Sequence, residues 1–132
     1  MNVKQRTVAE LMSRDVVSVG PLETLRSAAA TMQKHHIHCL LITPEQPHGA
    51  VGIITGKDIV QVLCESEPAL LDQLRVADVM SRPAISVQAD FLVGDAIKLM
   101  RMSGVRSVPV LRGIELVGLL SYTDVLRAAL ED

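Results

Sequence analysis

The chain writes one pattern twice. Residues 8–42 and 76–110 align at an offset of 68 with nine identities in 35 positions: Val8/Val76, Ala9/Ala77, Met12/Met80, Ser13/Ser81, Arg14/Arg82, Ser18/Ser86, Val19/Val87, Ala28/Ala96 and Met32/Met100. Chance supplies roughly two, and an internal repeat of this kind governs every later inference about the fold. The offset then falls to 66, because the first copy carries two extra residues between Pro44 and Gly49; Val51/Val117, Gly52/Gly118 and Asp58/Asp124 coincide from there on. The repeat divides the chain at residues 1–66 and 67–132. A copy of about 60 residues buries too little surface to be stable alone, so the two are expected to dock and share a core.

Each copy predicts the same order of elements. A short helix comes first (residues 8–12 and 76–80), opened in the first copy by Thr7 and Glu10 at capping-box spacing. A β-branched strand follows at 16–19 and 84–87. Apolar residues at helical spacing mark a longer helix: Leu25, Ala28, Ala29 and Met32 in one copy, Val93, Ala96, Ile97 and Met100 in the other. In the second copy Asp90 is its expected N-cap and Gly104 its C-terminal stop. A second strand (39–43 and 107–111), a third (50–54 and 115–120) and a closing helix complete the copy. Strand, helix, strand requires a parallel pair with a right-handed crossover. The short Arg112-Gly113-Ile114 turn instead makes strands two and three an antiparallel hairpin. The fold class is mixed α/β: small sheets, βαββα twice over, each copy preceded by a short helix. Pro68 ends one helix, and Leu70, Leu71 and Leu74 predict a helical, packed connector rather than a loose tether.

The candidate functional residues lie where the third strand meets the closing helix. Thr55 and Asp58, then Ser121 and Asp124, repeat a hydroxyl–x–x–acid spacing. One reading is purely structural: the hydroxyl accepts from an orphan helix amide, and the acid reaches back to the cap residue's own amide. The other uses the same geometry. A helix start favours phosphate, and a carboxylate beside it can accept from two ribose hydroxyls. Spacing alone does not choose between them, and capping boxes are the commoner.

Composition excludes several function classes. The net charge is −2 with interspersed signs, and there are one Phe, one Tyr and no Trp. Neither a basic stripe nor a stacking platform for nucleic acid is present. Apolar residues make up 48% of the chain, enough for a sizeable core, yet their runs are too short to cross a bilayer. No apolar stretch follows the charged residues 1–6, so no signal peptide is expected. Cys39 and Cys64 stand in no C-x-x-C motif, which fits a reducing, cytoplasmic setting. His35, His36, His38 and Cys39 are zinc-ligand types, but neighbours at a helix–strand junction diverge and no second cluster completes a site. His35 and His36 are expected to face solvent and Cys39 to be a small core residue. The methionines at 12, 32, 80, 100 and 102 read as core or dimer surface, and Tyr122 as an exposed ring beside a helix start. No nucleophile elbow, P-loop or facing carboxylate pair marks an enzyme.

Helix plus βαββα, written twice with G-h-h-[T/S]-x-x-D closing each copy, resembles a tandem pair of cystathionine-β-synthase (CBS) domains, often called a Bateman module. The likeness runs from Val8 to about Leu130, and includes Val19-x-Pro21 and Val105-Arg106-Ser107-Val108-Pro109-Val110. It implies two repeats packed about a pseudo-twofold axis, with clefts between them that take adenosine-containing ligands: AMP, ADP, ATP or S-adenosylmethionine. Carried over residue by residue, Asp58 or Asp124 holds the ribose, and Thr55 or Ser121 sits near the phosphate. His38 and Arg106, just before strand two, reach the phosphate from the opposite repeat, and Val17 and Ile85 lie near the adenine. Arg106 would add a charge-assisted bond there. The copies differ: Leu41 stands opposite Pro109, His38 opposite Arg106, and Pro21 opposite Ala89. Cross-pairing would join Asp58 to Arg106 and Asp124 to His38, which favours the Thr55/Asp58/Arg106 cleft for a phosphorylated ligand. The resemblance thus implies a regulatory, non-catalytic module, a homodimer, acting on an effector protein in trans. A scaffold with vestigial clefts is the other reading.

Overall fold

The computed structural model describes residues 2–46 and 49–131; the inserted Pro47 and His48 lie outside them. In chain order the elements are α1 (Val8–Leu11), α2 (Leu25–His35), β1 (Cys39–Ile42), β2 (Gly52–Thr55), α3 (Gly56–Glu65) and α4 (Leu70–Gln73). The second copy gives α5 (Val76–Val79), β3 (Val87–Gln88), α6 (Val93–Ser103), β4 (Ser107–Arg112), β5 (Glu115–Ser121) and α7 (Tyr122–Glu131). The hairpins form as expected. β1 pairs antiparallel with β2, and β4 with β5 around Gly113, whose φ of 64° needs no Cβ to avoid a clash. β3 runs parallel to β4, as a βαβ unit requires.

The first strand of each copy is shorter than its β-branched sequence predicts, and proline is the reason. In the first copy only Ser18 bridges to Leu41, held by Val19 N–H to Leu41 O at 2.9 Å and Leu41 N–H to Val17 O at 3.0 Å. Pro21 has no N–H to extend this ladder. Its counterpart Ala89 does extend it, donating to Leu111 O at 2.8 Å, and β3 exists as a strand. At the other end Pro109 offers no donor where Leu41 does, so β3 begins at Val87 rather than Ala84.

The packed units do not coincide with the halves 1–66 and 67–132. One compact unit is Val17–Ala84; the other runs from the N-terminus to Val16 and resumes at Ile85. Each copy's opening helix therefore packs into the core of the other copy. α1 donates from Val8 N to Phe91 O (2.8 Å) and from Ala9 N to Ala89 O (2.9 Å), while Val93 N donates to Arg6 O (2.8 Å). α5 makes the repeat-equivalent set: Val76 N to Glu23 O (2.8 Å), Ala77 N to Pro21 O (2.9 Å), and Leu25 N to Leu74 O (3.1 Å). The residue after each short helix then pairs with the third strand, Ser13 with Leu119 and Ser81 with Ile53. That contact covers backbone which a sheet edge would leave unpaired. Because residues 89–92 serve α1 in this way, α6 starts at Val93 behind an N-cap at Leu92, and Asp90 is not its cap.

Each unit has its own core. Val19, Leu25, Ala28, Met32, Leu40, Ile42, Ile54, Ile59 and Val76 fill the first. Val8, Leu11, Met12, Val87, Val93, Ala96, Met100, Val108, Val110 and Leu120 fill the second. Fully burying each of the larger side chains contributes roughly 1.5–3 kcal/mol. α2 and α6 end alike, with a left-handed residue: Gly104 (φ 69°) in one and His36 (φ 54°) in the other. α4 is the predicted packed connector, with Leu71 and Leu74 against the first core and Asp72 clamped in two contacts by Arg26. The Arg26 guanidinium holds the Asp72 carboxyl below its ordinary range. Met12, Met32 and Met100 are buried, whereas Met102 is exposed on α6.

Candidate functional site

Both closing helices begin with the motif that the sequence repeats. β2 delivers Thr55 in an extended conformation, and α3 starts one residue later. Thr55 Oγ1 accepts from the Asp58 amide at 3.2 Å, and Asp58 Oδ2 accepts from the Thr55 amide at 2.8 Å. In the second copy Ser121 Oγ accepts from the Asp124 amide at 3.3 Å. Asp124 Oδ2 accepts from the Ser121 amide at 2.9 Å and from the Ser121 hydroxyl at 3.0 Å. Both capping boxes are therefore made, and the structural reading of the motif is fulfilled.

The first helical amide is also tied down. Gly56 N–H donates to His38 O at 2.8 Å, and Tyr122 N–H donates to Arg106 O at 3.2 Å. These bonds fix the entry to strand two beside the helix start of the same unit. Thr55, Asp58 and His38 are thus brought together in one unit, and Ser121, Asp124 and Arg106 in the other. The His38 and Arg106 side chains are both exposed. Val17 is half-buried and lies in the unit of Asp58, while Ile85 is 42% exposed and lies in the unit of Asp124. Pro109 is buried in β4 and stands opposite Leu119 in the hairpin.

The two carboxylates differ in a way that sequence reasoning missed. Asp58 is half-buried, and its Oδ1 has no partner among the described residues. The Asp124 side chain is 6% exposed, and Arg127 Nη1 donates to its Oδ1 at 3.3 Å. Helical i, i+3 spacing between acid and base was the available signal.

Two concavities lie on the second unit; neither is lined by Ser121 or Asp124, but one borders the motif through Tyr122 and Thr123. One of about 290 Å³ is bounded by Thr7, Ala9, Gln88, Ala89, Asp90 and Arg112. The other, about 430 Å³ and mostly apolar, follows α7 along Tyr122, Thr123, Val125, Leu126 and Ala129. Among the described residues no group of three or more His, Cys, Asp or Glu converges as a metal site. His35, His36 and His38 are all exposed, and Cys39 is half-buried. No helix among the described residues is long and apolar enough to cross a membrane.

Two βαββα units, each closing on a helix whose start carries a capped carboxylate, are the organisation of CBS domain pairs, which are generally regulatory modules. The CBS domain family matches the sequence twice, over residues 8–65 and 76–131, and the chain belongs to that family. A protein of unknown role from Methanopyrus kandleri is 34% identical over 122 residues; the match takes in 92% of this chain and 61% of that protein, so this chain spans about three fifths of the relative's length. The CBS-domain protein ATU1752 from Agrobacterium tumefaciens superposes with a TM-score of 0.84 at 31% identity, covering 93% of this chain and 98% of that one. The CBS domain pair of protein MJ0100, solved with 5′-methylthioadenosine and S-adenosylmethionine, superposes with a TM-score of 0.80 at 26% identity, covering 93% and 94%.

Proposed function

We propose that this chain is a regulatory module that binds an adenine nucleotide, performs no chemistry, and signals through an effector protein in trans. The observation that carries the reading is the Asp58 carboxylate, which spends Oδ2 on the helix cap and leaves Oδ1 without a protein partner among the described residues. A ribose diol is the chemical match for such an acceptor beside a helix start. Thr55 is then the hydroxyl nearest the phosphate, with the exposed His38 beside it in the same unit, and Arg106 is the exposed cation beside Ser121 in the other. Ser121 and Asp124 are the second such pair, with Val17 and Ile85 as apolar contacts for the base. The adenosine compounds bound by the MJ0100 pair support this ligand class. AMP, ADP, ATP and S-adenosylmethionine are the candidates, and the cytoplasm is the proposed location.

The proposed assembly is a homodimer. Tyr122, Leu126 and Leu130 recur at four-residue intervals on α7 and are 39%, 63% and 80% exposed. An exposed apolar helical stripe of this kind is suited to a second copy. Ligand binding would act by linkage, stabilising whichever arrangement of the repeats it prefers.

One observation favours the second reading, a ligand-free scaffold: both capping boxes are satisfied without any ligand. Mass spectrometry of the small molecules that co-purify with the native protein separates the two. An adenosine compound at near-stoichiometric level supports the nucleotide module. If nothing co-purifies and no adenosine compound binds on addition, the scaffold stands.

A further inference from the structure

We propose that Arg127 competes with ribose for the Asp124 carboxylate, making the second helix start the weaker of two unequal ligand sites. The inference rests on the nucleotide-binding reading above and concerns the regulation of that same motif. Both oxygens of Asp124 are engaged within the chain. Oδ2 takes the Ser121 amide at 2.9 Å and the Ser121 hydroxyl at 3.0 Å, and Oδ1 takes Arg127 Nη1 at 3.3 Å. The acid is buried and the base is not: the side chains are 6% and 60% exposed. Arg127 therefore lies over the outward side of a carboxylate that is otherwise enclosed, where an incoming diol would have to approach.

The first copy lacks this guard. The offset of 66 that aligns Asp58 with Asp124 aligns Gln61 with Arg127. Gln61 is neutral, and its exposed amide makes no bond to Asp58 among the described residues. A diol reaching Asp58 displaces no protein cation; one reaching Asp124 must first displace a charge-assisted bond. With one partner well exposed, that bond is modest, so the guard biases occupancy by roughly five-fold and does not abolish it. Removing the guanidinium leaves an enclosed acceptor short of a partner, and this raises its demand for a replacement donor.

The test is an NMR titration of the full chain with AMP and with 2′,3′-dideoxy-AMP, which lacks the diol. Ser121 and Tyr122 amides report the Asp124 side; Thr55 and Gly56 amides report the Asp58 side. Arg127→Gln, which installs the residue of the first copy, should tighten AMP binding on the Asp124 side by roughly five-fold. It should leave the Asp58 side where it was and give no such gain with the dideoxy compound. If AMP binds at the Asp58 side but Arg127→Gln leaves the Asp124 side unchanged, or improves both compounds equally, this proposal alone is overturned. If AMP moves neither set of amides in either protein, the nucleotide reading falls and takes the proposal with it.

Discussion

Replacing Gly118 by alanine probes the exchange of opening helices at its tightest point. A Cβ there would stand 2.6 Å from Met12 Sδ, 2.8 Å from Ser13 O and 3.0 Å from Met12 Cγ. The sulfur can swing aside. The carbonyl cannot, because Ser13 is held to β5 by Leu119 N–H to Ser13 O at 2.9 Å and Ser13 N–H to Leu119 O at 2.8 Å. Gly52, the same position in the first copy, is more forgiving: its Cβ would meet Met80 Sδ at 3.1 Å, with Ile42 Cβ and Ser81 O both at 3.4 Å. Overpacking by one methyl against fixed backbone costs about 2 kcal/mol, whereas a shift of a few tenths of an ångström costs under about 1 kcal/mol. At roughly 3 °C per kcal/mol, Gly118→Ala should lower Tm by about 6 °C and Gly52→Ala by no more than about 3 °C. Urea unfolding followed by circular dichroism gives the same ranking independently. Adding Met12→Ala should relieve the sulfur contact and leave the carbonyl contact in place. A Gly118→Ala protein as stable as the parent, or a Gly52→Ala protein the less stable of the two, would refute the placement of residues 12–13 on β5.

Three further outcomes follow from the geometry. His36 holds a left-handed conformation that Gly104 provides without strain in the other copy, so His36→Gly should stabilise the chain by up to about 1 kcal/mol, read as a rise in the urea midpoint. Asp72 has its carboxyl held below the ordinary value of 3.8 by Arg26. A depressed folded-state value means that the pair's contribution is present above 3.8 and is lost as pH falls through the lower folded value. The stability gap between the parent and Asp72→Asn should therefore be open at pH 7 and closed in strong acid; a gap that widens on acidification contradicts this. Ser121→Ala removes an acceptor from the α7 cap and should cost about 1 kcal/mol in chemical unfolding.

The repeat, the hairpins and the closing helices were legible because each is written locally, in an offset, a turn or a helical period. The exchange of α1 and α5 was not, since chain order does not say which of two similar cores receives a four-residue helix. Its consequence at Asp90 was equally hidden: that residue has a cap's chemistry, but the backbone around it is committed to α1. The truncated first strands were legible in principle, through the missing amides of Pro21 and Pro109. At the motif, the hydroxyls and acids could be read from spacing, and so could the cap they build. The i, i+3 spacing of Asp124 and Arg127 was a signal that the pair could form, but it does not require an ion pair, and only the enclosed setting of Asp124 gives that pair its meaning.

The most direct measurement is a thermal melt of the parent and of Asp58→Ala with AMP, ADP, ATP and S-adenosylmethionine, each in excess. The account predicts that at least one compound raises the parent's Tm, and that Asp58→Ala loses that response while its unliganded form gives up only about 1 kcal/mol of cap. No response to any of the four, or a response that survives intact in Asp58→Ala, contradicts it.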